Sequence, residues 1–86
     1  MKHYVYLLIN ISQNRQTTYV GYTTNLKKRL ALHNSSKGAK FTKGRQWTLI
    51  YKKCYKTKSL AMVNEYLLKK DQKKRNSIKI KFLESN

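Results

Sequence analysis

Hydrophobic positions run almost without a break from Tyr4 to Ile11 (Tyr-Val-Tyr-Leu-Leu-Ile-Asn-Ile), and the residues are aromatic or branched, which predicts a strand. The polar stretch Ser12-Gln13-Asn14-Arg15-Gln16 predicts a turn, and Thr17-Thr18-Tyr19-Val20-Gly21-Tyr22 the returning strand of an antiparallel hairpin. Gly21 closes that strand where a side chain is unwelcome, either for a bulge or for a close backbone approach. The period then changes. Leu26 and Leu30 share one stripe of a helix that runs to His33, with Thr24 and Asn25 both able to cap it. After a loop from Asn34 to Gln46, Trp47 to Tyr55 predicts a third strand. A cap at Thr57 or Ser59 opens a second helix, Leu60 to about Gln72, with apolar positions at Leu60, Val63, Leu67 and Leu68. The segment 77–83 alternates like a strand at Ile78, Ile80 and Phe82 but also suits a short helix, which is favoured after so basic a stretch. The order β-β-α-β-α-α predicts one small α+β domain over residues 1–86.

Composition says what this domain meets. A hydrophobic fraction of 40% with seven tyrosines is too apolar for a disordered chain, yet 20 Lys and Arg against three Asp and Glu leave a net charge of +17. Self-repulsion on that scale destabilises the folded state, so an anionic partner is expected, nucleic acid ahead of an anionic membrane surface or ribosomal packing. Cys54 is the sole cysteine, which excludes an internal disulfide and a cysteine-based zinc cage; it reads as a half-buried strand residue in a reducing compartment. No run approaches a membrane span, and Met1-Lys2-His3-Tyr4 does not open a signal peptide, so a cytoplasmic protein is expected.

Candidate chemistry sits on few residues. Arg29 and His33 are neighbours at i and i+4 on the first helix. The guanidinium offers paired donors to phosphate oxygens, and the imidazole is a proton carrier near neutral pH. Tyrosines in a hairpin ordinarily pack, but a phenol at Tyr6 or Tyr19 could orient or deprotonate a water, aided by a cation such as Arg29 that lowers its pKa. Glu65 is a scarce acid on a basic helix. It could hold a hard divalent cation with waters and substrate phosphate completing the shell, or simply pair with Lys69. Lys27, Lys28, Lys37, Lys40, Lys43, Arg45 and Lys69 are the expected phosphate contacts, the loop from 34 to 46 being read as flexible. No zinc-finger spacing, glycine-rich phosphate loop or zipper is present, so weak sequence preference and no small-molecule cofactor are expected.

At these residues the chain resembles the GIY-YIG nuclease domain, in its small stand-alone bacterial form. Tyr4-Val5-Tyr6 matches the first signature with Tyr4 in place of its glycine, and Tyr19-Val20-Gly21 matches the second. The likeness continues through Tyr22 to Leu30, His33-Asn34, Lys37-Gly38-Ala39-Lys40 and Ala61 to Lys69, roughly residues 3 to 75. It implies a three-stranded antiparallel sheet flanked by helices, and metal-dependent endonuclease activity on DNA in repair or recombination, selective for structure more than sequence. Carried over by position, Glu65 would ligate magnesium or manganese, Tyr6 would act as base or orient the water, and Tyr19 would support it. Arg29 would stabilise the transition state, His33 would position groups or move a proton, and Gly21 would keep the site floor open. Tyr22 stands where some relatives carry a lysine, so no lysine role is carried over there. A nucleic-acid-binding protein that keeps this fold without catalysis is the rival expectation, and RNA is a second possible polymer.

Overall fold

A computed structural model describes residues 1–85. The chain forms strands β1 (His3–Ser12) and β2 (Arg15–Thr23), helix α1 (Leu26–Asn34), strand β3 (Thr48–Tyr55), and helices α2 (Lys58–Lys70) and α3 (Gln72–Glu84). A single 3-10 turn, Lys40–Thr42, lies between α1 and β3. The sheet order is β2-β1-β3 with both pairings antiparallel. The α+β class and the order β-β-α-β-α-α agree with the sequence reading.

The hairpin closes on Gln13 and Asn14, both with positive φ (51° and 63°), as a two-residue loop requires if its twist is to match the strands. Asn tolerates that region readily because its short polar side chain bonds locally; Gln does so less well. β1 is the central strand, which explains its sequence: Val5 through Ile9 are all buried because neighbours cover both faces. Period-two alternation then divides those neighbours. Val5 and Leu7 join Val20, Ala61 and Leu68 on the α2 side, whereas Tyr6 and Leu8 join Trp47, with Leu26, Leu30 and Tyr19 against them. An irregularity between Leu7 and Leu8 pairs them with Tyr51 and Leu49, so β3 carries one extra residue, Ile50.

Capping selects among the expected alternatives. Asn25 caps α1 by accepting from the Lys28 amide, and Thr57 caps α2 by accepting from that of Leu60. Asp71 ends α2 and opens α3, accepting from the Lys74 amide, so α3 is nearly twice the expected length and begins five residues earlier. Arg75 reaches back to the Leu68 and Lys69 carbonyls and ties the two helices at this junction.

Three expectations need correction. Of the apolar positions read on α2, Leu68 is buried, but Leu60, Val63 and Leu67 are 50%, 57% and 54% exposed. The helix packs through Ala61 and Leu68 instead, because small Ala61 lets it approach the sheet, and Glu65 falls on that inner stripe. Cys54 is exposed, the last of three consecutive exposed residues, Lys52 to Cys54, near the end of the edge strand β3. The 34–46 segment is tied down along its length. Asn34 bonds the backbone of Trp47 twice, Ser36 accepts from the Gly44 amide, and the Trp47 indole donates to the Thr42 carbonyl.

Candidate active site

The site is built on the face of β1 that carries Tyr6. Its register partner on β2 is Gly21, and the phenol lies directly across that glycine: a Cβ there would stand 2.2 Å from Tyr6 Oη. A glycine is therefore required by close approach, as the sequence suggested. From α1, the buried His33 brings Nε2 to 2.9 Å from Tyr6 Oη. Its other nitrogen, Nδ1, lies 2.9 Å from Oγ1 of Thr42, which is fully buried. Thr42 Oγ1 in turn is 2.7 Å from the Ala39 carbonyl oxygen.

This chain of contacts assigns the protons. A carbonyl can only accept, so the Thr42 hydroxyl donates to Ala39 and must itself accept from His33 Nδ1–H. His33 Nε2 is then bare, and the Tyr6 hydroxyl donates to it. The resting state is a neutral phenol aimed at the basic nitrogen of a neutral imidazole. Gly38 completes the arrangement, because a Cβ there would come within 2.5 Å of His33 Nδ1 and push the loop off the ring.

Electrostatics agree with that assignment. Burial, and then the Arg29 guanidinium, hold the His33 pKa below its ordinary value, favouring the neutral ring. Burial pushes the Tyr6 phenol far above its usual value; Tyr19 and Glu65 add to this, and Arg29 opposes it only in part. Tyr19 is raised in the same way, by burial and then by Glu65, again with Arg29 opposing. The expectation that Arg29 would leave a phenol more acidic is thus corrected: desolvation wins, and no phenolate stands ready.

The same interactions locate the other candidates. Arg29 and Glu65 both act on Tyr6 and Tyr19, and the Tyr19 ring lies 5.2 Å from that of His33 at 61°. Hydrogen bonding and ring contacts bring Tyr6, Tyr19 and His33 together, and Arg29 and Glu65 stand close enough to act on the two phenols through their charge. Glu65 also makes the plain contact the sequence offered, an ion pair with Lys69 at 3.6 Å. Lys69 is 52% exposed and Glu65 20%, so solvent weakens that pair and leaves the carboxylate exchangeable.

Among the described residues no three His, Cys, Asp or Glu side chains gather into a metal cage. Glu65 offers one hard oxygen donor, which could hold a divalent cation only with water and substrate phosphate completing the shell. Of the basic residues, Lys27, Lys28, Lys37, Lys40, Lys43 and Lys69 are exposed and Arg45 is half-buried. Lys28 lines a cleft with Arg29, and Lys69 lines another with Tyr19, so these two border the candidate site. No helix among the described residues is long and apolar enough to cross a membrane.

Sequence reasoning missed Thr42 and Gly38. Both lie in a loop whose lysines drew the attention, and neither residue type carries chemistry by itself. The available signal was a lone Thr between Phe41 and Lys43 with Trp47 close behind, an apolar pair that would anchor the loop and bury what lies between.

Comparison with known proteins identifies the family. Residues 2–79 match the model of the GIY-YIG catalytic domain. A UPF0213 protein of Staphylococcus haemolyticus is 45% identical over 69 residues, covering 79% of this chain and 80% of that one. A UPF0213 protein of Streptococcus pyogenes is 47% identical over 70 residues, covering 80% and 73%. The solution structure of the UPF0213 protein BH0048 from Bacillus halodurans superposes with a TM-score of 0.50 at 32% identity, covering 95% of this chain and 85% of that one. With signatures, fold and family match in agreement, the chain belongs to the GIY-YIG family, whose members are generally endonucleases, and its relatives include the small UPF0213 proteins.

Proposed function

We propose that this protein is a metal-assisted endonuclease that hydrolyses DNA phosphodiester bonds, with RNA as a second possible substrate. Its substrate choice would be set by nucleic-acid structure, in cytoplasmic DNA repair or recombination. The observation that carries this reading is the Tyr6–His33–Thr42 chain, a proton path with one assigned direction inside a strongly basic domain.

Because Tyr6 gives its proton to His33, its oxygen keeps lone pairs free to accept from an attacking water. As that water bonds to phosphorus, the bond from phosphorus to the leaving oxygen breaks and the released alkoxide takes a proton from solvent. Meanwhile the water's proton passes to Tyr6 Oη and the Tyr6 proton passes to His33 Nε2. The imidazolium so formed keeps its Nδ1–H on Thr42. The raised Tyr6 pKa is compatible with this relay, since no free phenolate is required. Burial, and then Arg29, disfavour the imidazolium at rest and keep the base unprotonated, and Arg29 would stabilise the negative charge that develops on the phosphate. Tyr19 packs beside His33 and holds the ring in place. Glu65 would hold a divalent cation that supplies Lewis-acid stabilisation to the phosphate and leaving oxygen.

The test is a cleavage assay with magnesium or manganese over single-stranded, duplex, nicked, flapped and branched DNA and an RNA panel. We expect cutting that Glu65→Gln and Arg29→Ala abolish while both variants remain folded. Binding without cutting on every substrate, unchanged by Glu65→Gln, would make the protein a nucleic-acid-binding module and end the nuclease reading.

A further inference from the structure

Phe41 is 51% exposed, although it belongs to an aromatic row whose other members are largely covered; Trp47 is 4% exposed. The Phe41 and Tyr19 rings lie nearly parallel, 19° apart with centroids at 6.1 Å, and Tyr19 continues the row inward to His33. Phe41 is therefore the outer end of a row whose inner end is the candidate catalytic pair. Its surroundings are cationic. The Arg45 guanidinium lies 4.9 Å above the ring, and Lys69 and Arg75 line the groove of 330 Å³ that Phe41 shares with Tyr19. Lys40 and Lys43 flank Phe41 closely in sequence.

The half-exposed ring carries the Arg45 guanidinium over one face and Tyr19 beside it. An occupant that is flat and anionic at once could therefore take the guanidinium's place on the ring while pairing with the displaced cation. A basic or neutral apolar partner would leave the cations uncompensated, and a simple anion would leave the ring unused. A nucleotide meets both demands, with its base on the ring and its phosphates on the cations. Bases within a duplex already stack on their neighbours, so only an unpaired or splayed base has a face to offer.

We propose that Phe41, with Arg45, is a stacking subsite for one unpaired nucleobase beside the scissile phosphate, which makes single-stranded or flapped nucleic acid the favoured substrate. This rests on the nuclease reading for the word "scissile", but the subsite itself is a binding claim and is tested without cutting. The probe is a single-stranded DNA oligonucleotide containing 2-aminopurine, whose fluorescence falls on stacking, titrated with the full chain carrying Glu65→Gln. A matched duplex serves as the second arm.

Wild-type Phe41 should quench the probe. Phe41→Leu and Phe41→Ala should lose the quench and weaken single-strand binding about tenfold, in line with the removal of one base–aromatic stack. Phe41→Trp should keep both, and duplex affinity should not move in any variant. Full single-strand affinity in Phe41→Leu, or an equal loss on duplex, overturns the subsite. Quenching in a protein that cuts nothing would sink only the nuclease reading. Cutting without a Phe41-dependent quench would sink only the subsite.

Discussion

On one face of β1, Val5 and Leu7 meet Ala61 and Leu68 among apolar neighbours; on the other, Tyr6 and Leu8 meet Trp47, and Tyr6 hydrogen-bonds to a buried imidazole. Both faces are closely packed, but for different ends. Apolar contact is non-directional, so the α2 face depends on volume and tolerates swaps of similar size. The His33 face depends on direction: three consecutive hydrogen bonds of 2.9, 2.9 and 2.7 Å, with two glycines admitting the groups that make them. The difference teaches that one strand can carry core and site together, because alternate residues answer to different neighbours.

Breaking each face in turn tests that division. Tyr6→Phe keeps the ring and removes the relay, so cleavage should fall about 10²–10⁴-fold, the usual loss for a positioned proton carrier, while the fold survives. Near-normal rates in a single-turnover assay would place the chemistry elsewhere. Leu7→Ala attacks the opposite face and should cost about 2–5 kcal/mol in urea unfolding, with the specific activity of the folded fraction retained. Thr42→Val conserves shape but leaves the buried Nδ1–H without an acceptor. It should cost about 1–3 kcal/mol and also lower activity, whereas Thr42→Ser should restore both.

The pH response sharpens the contrast further. The folded His33 pKa lies below the unfolded value of about 6.5, so the unfolded chain binds more protons as pH falls beneath that value. The stability tied to neutral His33 is therefore present above about pH 6.5 and is lost as pH drops through the folded pKa. Urea midpoints at about pH 7.5 and about pH 5 should differ by less in His33→Asn than in the wild type; equal differences would count against a buried neutral imidazole. The smallest effect belongs to the rim. Lys28→Ala should weaken DNA binding evenly across sequences and reduce the slope of log K against log salt by about 0.7–0.9, the share of one phosphate contact.

The legible parts of the fold were those with a strong local signal. The Tyr4–Ile11 run, the polar turn after it and the helical stripe at Leu26 and Leu30 each correspond to an observed element. On α2 the apolar positions did not say which of them face the sheet: Leu68 does, Leu60, Val63 and Leu67 do not, and small Ala61 is selected for close approach. Within the site, the i and i+4 spacing put Arg29 and His33 together, and the rarity of acids singled out Glu65. The hydrogen-bond partner of His33 was not legible, because Thr42 is nine residues away in a loop with no period to read.

By itself, then, the sequence determined the strands, the helices, the cationic surface and a short roster of residues able to carry phosphodiester chemistry. Those follow from local period, composition and residue type. Only the tertiary structure decided which nitrogen of His33 is bare, that Tyr6 rests as a neutral phenol, and that Glu65 faces inward while Phe41 faces out. These properties depend on desolvation and on distances between elements far apart in sequence, which no local pattern encodes.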